Sequence, residues 1–400
     1  MNRISFTIIT AVLFMILGYG CSENTHKNDI YTIDIDHNKI ISKPFCDISF
    51  ALTDDLEIIP LESNSNALLS YSSKFYIKDG DIYFTGQDMT EGAIYRFDSK
   101  GKFLNTIGKA GRGPGELAFS GNFSFINDSI FFYDHFNQKC LIYGKDGIGY
   151  REISFSSHND SIVNLPIEKF SFAGNKMAIL TYPDEASHSF MTCDIYTNKI
   201  EHFLPIDSIY AEYAWGNDDD MVTHNGNIYF GLWNNDTLYR YDGVYVKPYI
   251  HFNVTNKTPD EIMKLGVIEY LNYTKNSSTT GIPTITGIAD NYIMGKYNHG
   301  EFVYTFIHDI HNNTTISAGG GGSLNIFKDG GLQVMGRDII YQNKLYWACS
   351  PMVLKVNIAS MLKAGRFTNP TTREKLEKLL STISDEDNPV IFVKEFKKLF

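Results

Sequence analysis

Long apolar runs are nearly absent from this 400-residue chain. The one conspicuous run, Ile4 to Leu17, is shorter than the roughly 20 residues a helix needs to cross a bilayer. No second stretch of comparable length follows, which excludes a multi-span helical membrane protein. Cysteine is scarce too: Cys21, Cys46, Cys140, Cys193 and Cys349, none in a C-x-x-C spacing, so neither a zinc ribbon nor a thioredoxin-like motif is present. Cys140, Cys193 and Cys349 each lie within an apolar strand pattern and are expected to be buried and unpaired. Positive charge is in deficit, with 35 Lys+Arg against 46 Asp+Glu and a net charge of −11. With no basic stripe, the chain has no electrostatic footprint for nucleic acid. Helical runs are few, and no Gly-Lys-Ser/Thr phosphate loop or serine-nucleophile motif occurs.

What the chain has is aromatic residues and turns. Tyr (25) and Phe (28) dominate an aromatic share of 14%, and Gly (32) recurs with Asn as punctuation. Aromatic, β-branched segments bounded by such residues read as many short strands.

The first twenty residues form a separate segment. Arg3 precedes the apolar run, and Gly18, Tyr19 and Gly20 lead into Cys21 and the polar Ser22-Glu23-Asn24. This is the layout of an export signal, and a small residue before Cys21 makes that cysteine the expected lipid anchor to the membrane. Cys21 in this setting resembles the anchor of bacterial lipoproteins, and, since surface-displayed members usually carry several acidic residues after the cysteine, the single Glu23 here implies the periplasmic side of an outer membrane rather than the surface. The expected divisions are 1–20 signal peptide, 21–50 anchor and tether, 51–360 body, and 361–400 C-terminal helix and docked tail.

A repeat of about fifty residues organises the body. Each copy is a turn pair, an aromatic strand, a loop, and a strand ending near Asp. The first strands are placed near Ile82, Ile130, Met177, Ile228, Tyr292 and Leu345, at intervals of 48, 47, 51, 64 and 53 residues. The long interval holds PDEIMKLGVIEYLNYTK (259–275), an expected inserted helix. Six such units, each a four-stranded antiparallel meander, predict an all-β, six-bladed β-propeller. The sixth unit, with strands at 342–350 and 352–358, is one strand short, and LEIIPLE (56–62) is the expected N-terminal strand that closes the ring. A short helix is expected over 369–384, capped near Asn369 or Thr371.

The most unusual stretch is GKAGRGPGEL (108–117). It connects the last strand of the first unit to the second unit, where its glycines give backbone freedom and Pro114 fixes one φ. The plainer reading is structural. A binding reading places Arg112 and Glu116 at the rim of the central channel as ligand contacts. The run YRFDSKGKFLNTIGKAGRGPGEL (95–117), with NNDTLYRY (234–241) and DNPVIFV (387–393), resembles the six-bladed, NHL-like β-propeller lipoproteins of Bacteroidota. The resemblance covers most of the chain and implies the fold, the export signal and the lipid anchor, but no catalytic residues. Leu117 stands where that family often has an aromatic residue.

Chemistry is harder to find. The histidines are scattered, and His308 and His311 flank Asp309 in a strand-like run that suits surface positions. Asp218, Asp219 and Asp220 form the one candidate oxygen cluster for a cation, Ca²⁺ being the possible ion. No other cofactor is expected. These observations point to a monomeric, non-catalytic binding or scaffold propeller whose partner is a glycan, a peptide or an envelope protein. The alternative is a metal-assisted, Ca-dependent lactonase-like hydrolase or lyase working in the channel.

Overall fold

The computed structural model describes residues 30–43, 46–69, 74–85, 94–118, 123–134, 137, 139–154, 167–181, 187–206, 221–232, 235–263, 267–318, 324–327 and 338–398. Thr32–Phe400 is one compact unit; of the other, Met1–Tyr31, only Ile30 and Tyr31 are described. Cys21 and the signal segment lie outside the described residues.

Six antiparallel sheets of at least four strands make a ring. Blade 1 runs from Phe75–Lys78 through Asp81–Thr85 and Ile94–Phe97 to Phe103–Ile107. Blades 2 to 5 begin with Phe123–Ile126, Ile167–Ala173, Met221–His224 and Thr284–Ile288, and blade 6 with Asp338–Tyr341. The first strands of blades 2 and 3, 3 and 4, 4 and 5, 5 and 6, and 6 and 1 approach one another. They are therefore the inner strands, around the central channel.

The strands placed first in the sequence repeat prove to be second strands. Ile82 lies in Asp81–Thr85 and Ile130 in Ser129–Asp134, each preceded by a less buried inner strand. The reason is burial. A second strand is flanked on both edges by its own sheet and on both faces by neighbouring blades, so Lys176–Thr181 is buried at five of six positions. An inner strand such as Met221–His224 has no buried position, and its sequence carries little signal. The turn pairs noted in the repeat are the two-residue hairpins between first and second strands. Asp79 and Asn225 take positive φ there (51° and 48°), each followed by a glycine of positive φ (Gly80, 87°; Gly226, 74°), as type I′ turns demand.

Five of the inter-blade seams hold an apolar cluster among the described residues. Blades 1 and 2 share Tyr83, Ile94, Phe132 and Leu141; blades 3 and 4 share Leu180, Phe190, Phe230 and Tyr241. Phe190 and Phe230 stack at 4.2 Å and 3°. Burying a side chain of this size contributes about 1.5–3 kcal/mol, so the seams hold the ring through many similar contacts.

Blade 6 differs from expectation. Residues 352–358 are not a strand but part of the helix Pro351–Lys363. Proline at the first helical position suits a helix start, and Pro351, Leu354 and Ile358, three and four apart, are the positions that helix buries. The missing third strand is Val390–Glu395, at the C-terminus, paired with Lys344–Cys349. Glu57–Pro60 lies beyond it as the outer strand, so the N-terminal closure holds. The helix Pro370–Thr382 also forms where expected, with Asn369 accepting from the Thr372 N–H at 3.0 Å. The 259–275 insertion forms two short helices, Asp260–Met263 and Val267–Lys275.

Residues before the propeller body make a strap for which the sequence suggested no strands. Tyr31–Ile35 adds to the outer edge of blade 4, and Ile41–Lys43 adds in parallel to blade 5. Cys46–Asp47 then pairs with Leu324–Asn325, and the chain enters blade 6.

Candidate binding faces

An antiparallel meander sends its hairpins to two opposite faces. The first–second and third–fourth turns share one face, and the second–third and inter-blade connections share the other. The glycine-rich segment 108–117 and the helices at 260–275 and 351–382 are therefore on the connector face.

The glycine-rich segment is built tightly onto blade 2. Leu117 is fully buried in the seam between blades 1 and 2, and its N–H donates to the Lys109 carbonyl at 2.8 Å. Lys139 Nζ donates to the Gly113 carbonyl at 2.9 Å, and the Gly115 N–H donates to Glu152 Oε2 at 3.2 Å. Tyr143 donates its hydroxyl to the Gly115 carbonyl, and Asp134 accepts the Ala118 N–H at 2.8 Å. Glycine is required at 115: φ is +68°, and a Cβ would sit 2.3 Å from the Tyr150 ring. At Gly111, φ +149°, a Cβ would meet Glu116 Oε2 at 2.0 Å.

Glu116 is engaged within its own loop. Oε1 accepts from Lys109 Nζ at 2.9 Å and Oε2 from the Gly113 N–H at 3.0 Å. The Lys109 bond and then the Gly113 N–H hold its carboxyl below the usual range. Arg112 is exposed, and its side chain makes no hydrogen bond or ion pair among the described residues. The structure does not bring the two side chains together as a pair. Asp218, Asp219 and Asp220 lie outside the described residues. Among the described residues no group of three or more His, Cys, Asp or Glu is arranged to hold a metal.

On the turn face, the seam between blades 1 and 2 opens into a cavity of about 190 Å³ lined by Lys78, Asp81, Tyr83, Arg96, Phe125 and Lys145, among others. Arg96 donates through Nε and Nη2 to Asp81 Oδ2 at 2.7 and 2.5 Å and through Nη1 to the Lys145 carbonyl at 2.9 Å. Its charge is thus matched inside the protein. Around the channel the turns are stitched together: His224 to Asp290 (3.6 Å), the Asp290 N–H to Asn343 (3.1 Å) and the Asp79 N–H to Tyr341 (3.1 Å).

Two further sets of side chains bear on chemistry. Cys46, Cys140, Cys193 and Cys349 are free and buried, and burial pushes the Cys46, Cys193 and Cys349 thiols up to about 12. They are inert at neutral pH. His308 corrects the surface reading: it is 1% exposed, bonded through Nδ1 to Thr315 Oγ1 at 2.9 Å, and desolvation lowers it to about 4. Strand alternation alone does not distinguish a solvent face from an inter-blade face, which is why it misled.

The ring of six blades, closed by strands from both ends of the chain, defines the class: a six-bladed β-propeller. The chain belongs to the DUF4934 family, matching the description "Domain of unknown function (DUF4934)" over residues 28–395. A candidate exported protein of Bacteroides fragilis has a solved structure similar in fold, with a TM-score of 0.66 at 17% identity, covering 92% of this chain and 100% of that one. A DUF4221 member from Bacteroides vulgatus is more distant, with a TM-score of 0.44 at 12% identity and coverage of 86% and 98%. No curated protein matches the sequence. Among the described residues no helix is long and apolar enough to cross a membrane.

Proposed function

We propose that this chain is an exported envelope lipoprotein, anchored through Cys21, acting as a non-catalytic binding or scaffold propeller for a glycan, peptide or protein partner. Its placement on the periplasmic side of an outer membrane, its NHL-like character and its monomeric state belong to the same reading. The observation that carries it is the connector: its backbone is tied to blade 2 by Lys139, Tyr143 and Glu152, while the exposed Arg112 side chain makes no bond among the described residues. Binding residues are disproportionately carried on loops that a rigid scaffold positions. An exported neighbour of like fold supports the address.

The test is direct. Mature protein from the native host is assayed for N-terminal lipid by mass spectrometry, for metal by elemental analysis, and for retention on peptide and glycan arrays, with Arg112→Ala beside it. Lipid at Cys21, no stoichiometric metal, and array binding weakened at least tenfold by Arg112→Ala are expected. A stoichiometric Ca²⁺ whose removal abolishes a hydrolytic activity would favour the channel hydrolase instead.

A further inference from the structure

The hairpins between third and fourth strands repeat one device from blade to blade. An aspartate at the end of the third strand turns its carboxylate inward to hold the turn. Asp194 Oδ1 accepts the N–H groups of Tyr196 and Thr197 at 3.0 and 2.9 Å. Asp242 Oδ1 accepts those of Val244 and Tyr245 at 3.0 and 2.8 Å. These bonds hold both carboxylates below their ordinary range. The tyrosines so fixed are turned to solvent, Tyr196 being 59% and Tyr245 60% exposed.

A cation lies over each ring. The Arg151 guanidinium carbon, from the outer strand of blade 2, is 5.5 Å from the Tyr196 centroid, and Lys247 Nζ is 5.3 Å from that of Tyr245. Neither cation forms an ion pair among the described residues. The acidic groups nearby have other partners: Glu201 holds Lys176 and Lys199 at 2.7 and 2.8 Å, and Glu152 accepts the Gly115 N–H. On a chain of net charge −11, the hairpin tips of blades 3 and 4 therefore present exposed aromatic faces beside cations that form no ion pair among the described residues, the Asp242 carboxylate acting on Lys247 only through space.

We propose that these tips bind an acidic polysaccharide, Tyr196 and Tyr245 stacking on the C–H faces of sugar rings and Arg151 and Lys247 taking their carboxylate or sulfate groups. The cation fits an anionic group and the flat, amphipathic tyrosine fits a pyranose ring. An exposed tyrosine with a cation over it on each of two successive blades suits a ligand made of repeating units, because joined weak sites gain avidity. This inference rests on the binding reading above and names its ligand class, but places the contacts on the turn face rather than at Arg112.

The test uses the full mature chain with polygalacturonate as probe, dextran as an uncharged control and phosphatidylglycerol vesicles as an anionic control. Wild type should bind polygalacturonate, with affinity falling as salt rises, and should not bind dextran. Tyr196→Ala with Tyr245→Ala, and separately Arg151→Gln with Lys247→Gln, should each weaken binding at least tenfold with unchanged thermal melting. Equal retention by dextran, binding to vesicles alone, or undiminished binding by both double variants overturns the proposal. If the arrays still show an Arg112-dependent partner, the binding propeller stands without this ligand; if they show none, both readings fall.

Discussion

Lowering the pH from 7.5 to 4.5 should loosen this propeller at one place, where the N-terminal strap crosses blade 5. Three buried or half-buried histidines lie along that crossing: His37 and His299 in contact, and His308 six residues further along the strand pair. His308 is held in the third strand of blade 5, its pKa lowered to about 4 by burial, against the opposing pull of Asp309 and of Asp34 in the strap. His37, in the strap, stacks on His299 with ring centroids 3.6 Å apart and planes 9° from parallel. Its Nδ1 lies 3.1 Å from the Tyr297 hydroxyl, and His299 Nδ1 lies 3.0 Å from Thr280 Oγ1. Burial and then the His299 charge lower His37, with Asp36 opposing; burial lowers His299. Tyr304 closes the cluster edge-on at 4.6 Å.

All three shifts are downward, so between about pH 6.5 and pH 4 the unfolded chain binds more protons than the folded one. Stability is complete above pH 6.5 and declines as pH falls toward 4. For His308 the gap from 6.5 to about 4, at about 1.4 kcal/mol per pH unit, comes to roughly 3 kcal/mol. Carboxylates act in a lower window: Glu201, held at about 2 chiefly by its bonds to Lys176 and Lys199, loses its contribution only as pH falls below about 4.5. Urea unfolding followed by tryptophan fluorescence at pH 7.5, 6.5, 5.5 and 4.5 measures the loss. Hydrogen exchange should show Ile41–Lys43 deprotecting first. His308→Asn, which keeps a group near Thr315 but cannot titrate, should flatten the profile by most of the 3 kcal/mol. A profile flat to pH 4.5 in the native protein, or one equally steep in His308→Asn, would refute the reasoning.

Other outcomes follow from how the ring is closed. Asn388, 2% exposed, donates through Nδ2 to the Glu62 and Ala67 carbonyls and accepts the Leu69 N–H at 2.8 Å. Asn388→Ala leaves those groups unsatisfied and should cost about 3 kcal/mol or more in urea unfolding; a loss below about 1 kcal/mol would contradict the role given to it. Truncation before Val390 removes a strand paired on both edges. It should abolish cooperative melting, and a truncated chain that melts near the native temperature would show that blade 6 does not need it. Gly101→Ala and Gly226→Ala should separate clash from strain. Both sites have positive φ, but a Cβ at 101 would stand 2.3 Å from the Pro60 carbonyl oxygen whereas none is within 4 Å at 226. Gly226→Ala should cost about 1–2 kcal/mol and Gly101→Ala visibly more by scanning calorimetry; equal costs would refute the packing argument.

The parts of this fold that were legible in sequence share one physical property: both the signal and the structure are local. Second strands such as Ser129–Asp134 are buried at five of six positions because blades press on both faces, and Asp98, Asp194 and Asp242 mark hairpins because a carboxylate two or three residues away from the N–H it accepts needs no tertiary help. Asn369 and the helix behind it belong to the same class. Blade 6 was misread because its third strand arrives some forty residues after its second, and strand pairing leaves no mark on the intervening sequence. The helical spacing of Leu354 and Ile358 was present in 352–358, yet β-branched Val353 and Val356 and the expectation of a meander favoured a strand.

The same distinction bears on the candidate sites. GKAGRGPGEL stands out because glycines are confined to places where a Cβ collides, as at Gly115 against Tyr150, so its composition reports close backbone approach before it reports any ligand. Tyr196 and Tyr245, by contrast, look in sequence like every other strand-end aromatic among the 25 tyrosines. Only the fold shows that they are exposed and that Arg151, forty-five residues before Tyr196 and one blade away, covers one of them. In a ring whose apolar residues fill the seams, a large aromatic left at a hairpin tip is the departure that asks for a partner, and an adjacent unpaired cation states what charge that partner carries.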